Sequence, residues 1–295
     1  MRYACVVDID LKQPATTETT GLSSAAIAAE PIEVQSAGFL LELSSDWLIL
    51  RASENVHKFL GQYHVTLVGE PLSKFTLAQP LHDLRNNLAR QRSCSGIARA
   101  YRVRLTEEPR YFDMAFQMVD GRILLEGMIS PDNGFGMALG SVSRLVDGLD
   151  GSGRTLLESA ARRIRALTGF DTAILAAGGT TVESARAPSS ATGSSAGFED
   201  LPAILTDTKF TSSPVFPREA ESSSVGHALL RAPNAALLQQ LRDQEIRSML
   251  NVPLLRGERP IGYFRCENRA PMPPTLELHA AAELFAQVLA MQLAR

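Results

Sequence analysis

Apolar residues along this chain fall into runs whose spacing changes from one stretch to the next. Gly38-Phe-Leu-Leu-Glu-Leu43 and Trp47-Leu-Ile-Leu-Arg-Ala52 are short apolar runs separated by Ser44-Ser-Asp46, an arrangement that predicts a β-hairpin. Ser53 and Asn55 then precede Phe59-Leu60-Gly61, and their side chains are expected to cap a short helix by accepting backbone N–H bonds. Between Pro80 and Arg92 the period lengthens, and Leu81, Leu84 and Leu88 recur on one side of a predicted helix. Three strand-like runs follow, over 97–105, 110–119 and 121–128, the last opened by the Asp120-Gly121 turn. As far as Ser130 the pattern predicts a five-stranded antiparallel sheet with helices on one face.

Residues 131–153 contain glycines at 134, 136, 140, 148, 151 and 153, which predicts a flexible join around a short apolar segment. Leu156, Leu157, Ala160, Ile164 and Leu167 then line one face of a predicted helix from Thr155 to Thr168, with Gly169 as its stop. The Ser-, Thr-, Ala- and Gly-rich stretch 178–197 reads as a mobile loop. A final helix over 274–293 places Leu276, Ala280, Leu284, Val288 and Met291 at roughly helical spacing, too few positions to specify a coiled coil. Two readings of it stay open: an apolar face that packs only on its own sheet, or one that also joins a dimer bundle. The Thr-rich and Ala-rich start lacks periodicity and is expected to be loosely ordered. The layout is a flexible N-terminal segment (1–30), a first domain (31–130), a linker (131–153) and a second domain (154–295).

A chain of 295 residues with 45% hydrophobic content can bury two cores, and a net charge of −3 supplies no whole-chain field for nucleic acid or an anionic membrane. Asp8, Asp10 and Lys12 interrupt the start before any apolar run, unlike a secretory signal, and no run of 18 apolar residues offers a membrane span. Cys5, Cys94 and Cys266 are odd in number and widely spaced; they read as reduced thiols in the cytoplasm, without metal-ligand spacing. No phosphate-binding G-x-x-x-x-G-K-S/T loop, G-x-S-x-G elbow or H-E-x-x-H helix occurs, so an enzyme of standard type is not expected. The five histidines, His57, His64, His82, His227 and His279, are scattered and read as surface or cap residues.

The most specific stretch runs from Leu229-Leu-Arg-Ala-Pro-Asn-Ala-Ala-Leu237 through Met249-Leu250 to Gly262-Tyr-Phe-Arg-Cys-Glu-Asn-Arg-Ala-Pro271. Without a gap it resembles the second half of the GAF domain of bacterial phytochromes, V-L-R-S-x-S-P-x-H-x-x-Y-L-x-N-M-G-V-x-A-S-M followed by G-L-I-A-C-H-H-x-x-P. The opening hairpin with Ser53-Glu-Asn-Val56 is similar to that family's PAS domain. The resemblance covers about residues 30–293 and implies an α+β fold, a PAS domain followed by a GAF domain, each an antiparallel sheet flanked by helices. It also implies a figure-of-eight knot of the N-terminal segment through a GAF loop. The segment after Pro31-Ile32 is shorter here than in the family, which leaves the knot an open alternative.

The departures fall on the pigment side of the pattern. Leu237 stands at the pocket histidine, Glu267-Asn268 at the tandem histidines, Pro233 at the plant and cyanobacterial attachment cysteine, and Ile27 at the bacterial one. A thioether needs a thiolate, so neither family position can anchor a bilin. The family's aromatic F-D-x-x-x-x-Y-x-F is Phe170-Asp-Thr-Ala-Ile-Leu-Ala-Ala-Gly178 here. Three pocket candidates remain: Asp200, in Asp200-Leu-Pro202 at the family's D-I-P; Arg247, which matches an arginine near a bilin propionate; and the retained Cys266. Asp before Leu-Pro is equally a loop or helix-start signal, and a surface arginine commonly has no specific partner.

Three functions remain open on these residues. One is a phytochrome-like sensory or signalling module without covalent bilin or other cofactor, acting by homodimerisation or by regulating a histidine kinase or other signalling partner. Another is a photoreceptor holding biliverdin non-covalently or through Cys5. The third is a binder of another small ligand. An apolar residue at 237, with the aromatic and imidazole positions replaced, predicts a cavity that is smaller or filled by aliphatic side chains, whereas an open polar pocket would favour the ligand binder.

Overall fold

The computed structural model describes residues 32–91, 96–132, 136–186, 201–218, 224–257, 259–272 and 275–293. In the first domain, β1 (Glu33–Gln35) precedes the hairpin of β2 (Gly38–Leu43) and β3 (Ile49–Ser53). Then come α1 (His57–Leu60), α2 (His64–Leu67), α3 (Ala78–Gln91), β4 (Ala98–Val103), β5 (Phe112–Val119) and β6 (Arg122–Ile129). The predicted five antiparallel strands are present in the order β3-β2-β6-β5-β4. Phe39 and Leu41 of β2 meet Leu81, Leu84 and Leu88 of α3 in one apolar cluster, as the change from period two to helical period requires.

Ser53 and Asn55 do not cap a helix. Ser53 Oγ accepts from Leu40 N at 3.0 Å, and Asn55 Nδ2 donates to Gly38 O at 2.8 Å. Both side chains are buried, where strand backbone is the nearest partner, so they tie the hairpin together instead.

The second domain contains α4 (Met137–Val146), α5 (Gly153–Thr168), β7 (Thr172–Ala177), β8 (Thr180–Ala185), β9 (Ile204–Leu205) and β10 (Ser212–Phe216). It ends with α6 (Ala235–Asp243), β11 (Ser248–Arg256), β12 (Arg259–Asn268) and α7 (Leu276–Gln292). Its sheet runs β8-β7-β12-β11-β9. One face packs on α5 and α7 through Leu156, Ile164, Leu250, Phe264 and Phe285. Gly169 ends α5 in the left-handed conformation, φ 74°, as expected of a C-terminal glycine.

Two expectations are corrected here. The apolar segment inside the glycine-rich join is helix α4, whose Val142 is buried in the same cluster; Glu277 of α7 accepts from its Ala138 N at 3.1 Å. Packing on α7 outweighs the helix cost of Gly140. The stretch expected to be a mobile loop begins as the β7–β8 hairpin, turning at Gly178-Gly179 with φ of 54° and 74°. Its remainder, 187–197, lies outside the described residues.

The two domains share backbone. β10 leaves the second domain to pair with β1 and β3, extending the first sheet to seven strands. β1 is also bonded on its other side, Gln35 N to Leu230 O at 2.9 Å and Ala232 N to Glu33 O at 2.8 Å. The Gln35 side chain, wholly buried, donates to Ile204 O and accepts from Thr206 N at 2.9 Å. Residues 33–35 therefore lie clasped between β10 and 230–232. Gly38 makes this approach possible, because an added Cβ would sit 2.5 Å from Gly127 O and from Leu230 Cδ1. The knot itself turns on residues before Ile32, outside the described residues.

Candidate functional site

Alternation along β11 and β12 divides the candidate residues between two faces. Leu250 pairs with Cys266 and both enter the cluster on α5 and α7, whereas Met249 pairs with Glu267 on the opposite face. Cys266 is thus in the helical core; burial pushes its thiol up to about 12, and a thiol so held is not a nucleophile. The structure does not bring it together with Arg247. Asp200 lies outside the described residues, as do Cys5 and Ile27.

On the other face, Asn234 caps α6 by accepting from Leu237 N at 2.8 Å. This sets the first turn so that Leu237 faces Leu201, Leu205, Leu241, Ile246 and Met249, with Phe210 at the edge. Leu237 is 6% exposed, and the aliphatic filling expected from the sequence is present. Arg247 is engaged within the protein: its Nε and Nη2 bond the two carboxylate oxygens of Asp207 at 2.9 and 2.8 Å. The Arg247 hydrogen bond holds the Asp207 carboxyl below its ordinary range. Arg242 forks onto Thr208 O at 2.9 and 2.7 Å, fixing the same turn from a second side. Asp207 had no sequence signal beyond an acidic residue in a Thr-Asp-Thr-Lys turn.

Glu267, at the family's first tandem histidine, is ion-paired with Arg265 at 2.7 Å, and both side chains are buried. Burial raises the Glu267 carboxyl, and the Arg265 charge opposes that shift. Asn268 donates to Ala270 O at 3.2 Å. Among the described residues of this face, Leu237, Met249, Arg265 and Glu267 supply neither a thiol nor an imidazole.

Where this face meets the first domain, a cavity of about 240 Å³ opens. Leu201-Pro202, Leu229, Arg231 and Asn251 form one wall, and His279 and Glu283 of α7 form another. Arg99 of β4 reaches across with Nη2, 2.6 Å from Glu283 Oε2 and 2.8 Å from His279 Nδ1. His279, read from sequence as a surface or cap residue, is 2% exposed; burial lowers its pKa to about 4. Its burial was not legible because Arg99, its partner, lies 180 residues away. Nearby, Glu126 of β6 accepts from Leu229 N and Leu230 N at 2.9 and 2.8 Å. Burial raises that carboxyl to about 7 against these bonds and the Arg99 charge.

Comparison with known families agrees with the two-domain reading. Residues 26–126 match a PAS fold family and residues 152–295 a GAF domain family. Among solved structures, a point mutant of the chromophore-binding domain of a Stigmatella aurantiaca bacteriophytochrome superposes with a TM-score of 0.72 at 22% identity, covering 92% of this chain and 98% of that one. The wild-type chromophore-binding domain of Stigmatella aurantiaca phytochrome P1 gives 0.68 at 21%, covering 91% and 99%. A bacteriophytochrome from the photosynthetic bacterium R. palustris gives 0.70 at 23%, covering 90% of this chain and 59% of that one. At these identities the likeness is one of fold. No curated protein matches the chain.

Proposed function

We propose that this chain, a PAS–GAF protein with the fold of phytochrome chromophore-binding domains, is a sensory or signalling module that works without covalently attached bilin. The observation that carries the reading is the pigment-side face of the GAF sheet. Leu237 and its aliphatic neighbours occupy it, and the retained arginine at 247 is bound by Asp207.

The output element in this reading is α7. Leu276, Phe285 and Leu289 are buried on the sheet, while Leu284 is 49% and Met291 55% exposed on another side of the same helix. A helix apolar on two sides gains by covering both, which supports a homodimer or a signalling partner such as a histidine kinase. Among the described residues no helix is long and apolar enough to cross a membrane. The module is sensory, not catalytic.

Expression with a heme oxygenase followed by a visible spectrum tests the pigment reading, and the expected result is no far-red band. A stoichiometric red-absorbing adduct would overturn it, and Cys5 would be the first residue to replace. Light scattering tests the output reading: a dimer is expected, converted to monomer by L284E with V288E. A strictly monomeric parent would refute the dimer.

A further inference from the structure

Glu126 lies inside β6 and is 1% exposed. Its two carboxylate oxygens accept from consecutive backbone amides of the second domain, Oε2 from Leu229 N at 2.9 Å and Oε1 from Leu230 N at 2.8 Å. Among the described residues no cationic side chain bonds it. A carboxylate sealed from water with only neutral donors is biased toward its protonated form, because burial penalises the charge. Burial accordingly raises this carboxyl to about 7. The amides it holds belong to the clasp around β1. Leu230 O accepts from Gln35 N at 2.9 Å, Glu33 O accepts from Ala232 N at 2.8 Å, and Leu229 O accepts from Ile204 N at 3.3 Å. Segment 229–232 therefore ties β1 to β9, and Glu126 ties that segment to the first sheet.

Alternation along β2 and β5 places two more acids on the same sheet face. Glu42 is paired with Arg122 at 3.0 Å, and Asp113 accepts from Arg102 N and Ser130 Oγ. Arg99 of β4 is turned to His279 and Glu283 of α7, at 2.8 and 2.6 Å. The clasping segment itself carries His227 and Arg231. Of these groups only the Arg99 charge bears on Glu126, favouring its ionised form.

We propose that Glu126 is a proton-operated latch between the two domains: protonated, it stays buried and keeps segment 229–232 on the first sheet; ionised, it turns to water and the segment lifts. Protons favour the closed form, because the buried carboxyl binds its proton more tightly than a hydrated carboxylate in the open form does. Closure is therefore strongest at and below the ordinary carboxylate range and weakens as pH rises through 7. His279, lowered by burial to about 4, stays neutral across that window. Lifting the segment breaks its bonds to Glu33 and Gln35 and leaves β1 paired with β10. The latch stands apart from the bilin and dimer readings, and each can fail alone.

The test is hydrogen exchange of the full chain at the Leu229 and Leu230 amides, corrected for the intrinsic pH dependence of exchange, together with the ¹³C shift of the Glu126 carboxyl. Between about pH 5 and pH 8, protection at both amides is expected to fall on the order of ten- to a hundredfold, while the amides of β7 hold theirs. E126Q, which cannot ionise, is expected to remove the pH dependence. The carboxyl is expected to titrate near 7, and R99Q to move that midpoint upward, because a charge favouring the carboxylate is gone. A midpoint in the ordinary carboxylate range, pH-independent protection in the parent, or an equal fall at β7 would each overturn the proposal. So would an unchanged pH dependence in E126Q or a downward shift in R99Q. Should E126Q fail to fold, the midpoint and the exchange of the parent chain still decide it.

Discussion

On one face of the GAF sheet Leu250, Phe264 and Cys266 pack with Phe285 into a continuous apolar cluster. On the other face the same two strands carry Met249, Asn251, Arg265 and Glu267. The first face follows the ordinary rule that a sheet buries its apolar alternate residues against helices. The second is buried as well, but through an ion pair, a small aliphatic cluster and the Asp207–Arg247 fork. The helical face alone carries the sheet's continuous apolar core, while the opposite face is held by a mixture of ionic and aliphatic contacts. An apolar side chain at 237 gains transfer free energy of about 1.5–3 kcal/mol in this buried cluster, where an imidazole would need a partner.

The comparison breaks most sharply at Phe264. F264A on the helical face is expected to cost about 3–5 kcal/mol, because the ring is fully buried and its cluster cannot collapse around the void. Urea unfolding measures it, and a cost below about 1 kcal/mol would show that this face is not the main core. L237A on the other face should cost less, about 2–3 kcal/mol, since its cluster holds only six buried side chains. A larger loss than for F264A would reverse the ranking of the two faces.

A smaller effect is expected where the second face reaches the domain junction. Glu126 has its folded pKa raised from 4.5 to about 7, so its contribution to stability is complete below about 4.5 and lost as pH rises through 7. His279 has its folded pKa lowered from 6.5 to about 4. Its contribution is present above 6.5 and lost as pH falls toward 4. The two oppose one another in the acid range, and E126Q separates them. Relative to that variant, the parent should lose stability on the order of 1–3 kcal/mol between pH 5 and 8, read by urea unfolding at each pH. A difference that does not change with pH would contradict the burial of an ionisable Glu126.

Much of the fold was legible because local period decides it. The β2–β3 hairpin, α3 with Leu81, Leu84 and Leu88, and α5 with its Gly169 stop all follow from spacing within a dozen residues. What escaped depends on partners far away in sequence. β1 and β10 pair across about 180 residues, Glu33 with Pro214, and neither strand has an alternating pattern of its own. Helix α4 was hidden by glycines that its contact with α7 overrides. At the site, the inward-facing Leu237 was readable from the family frame. The engagement of Arg247 and the burial of His279 were not, because each is set by a partner, Asp207 or Arg99, that no local motif specifies.

The most direct measurement of the central claim, that the pigment-side face no longer holds a covalent bilin, is the intact mass of the chain purified after expression with a heme oxygenase. The mass expected is that of the polypeptide alone. A species heavier by one biliverdin, retained after denaturation, would contradict the account whatever its spectrum.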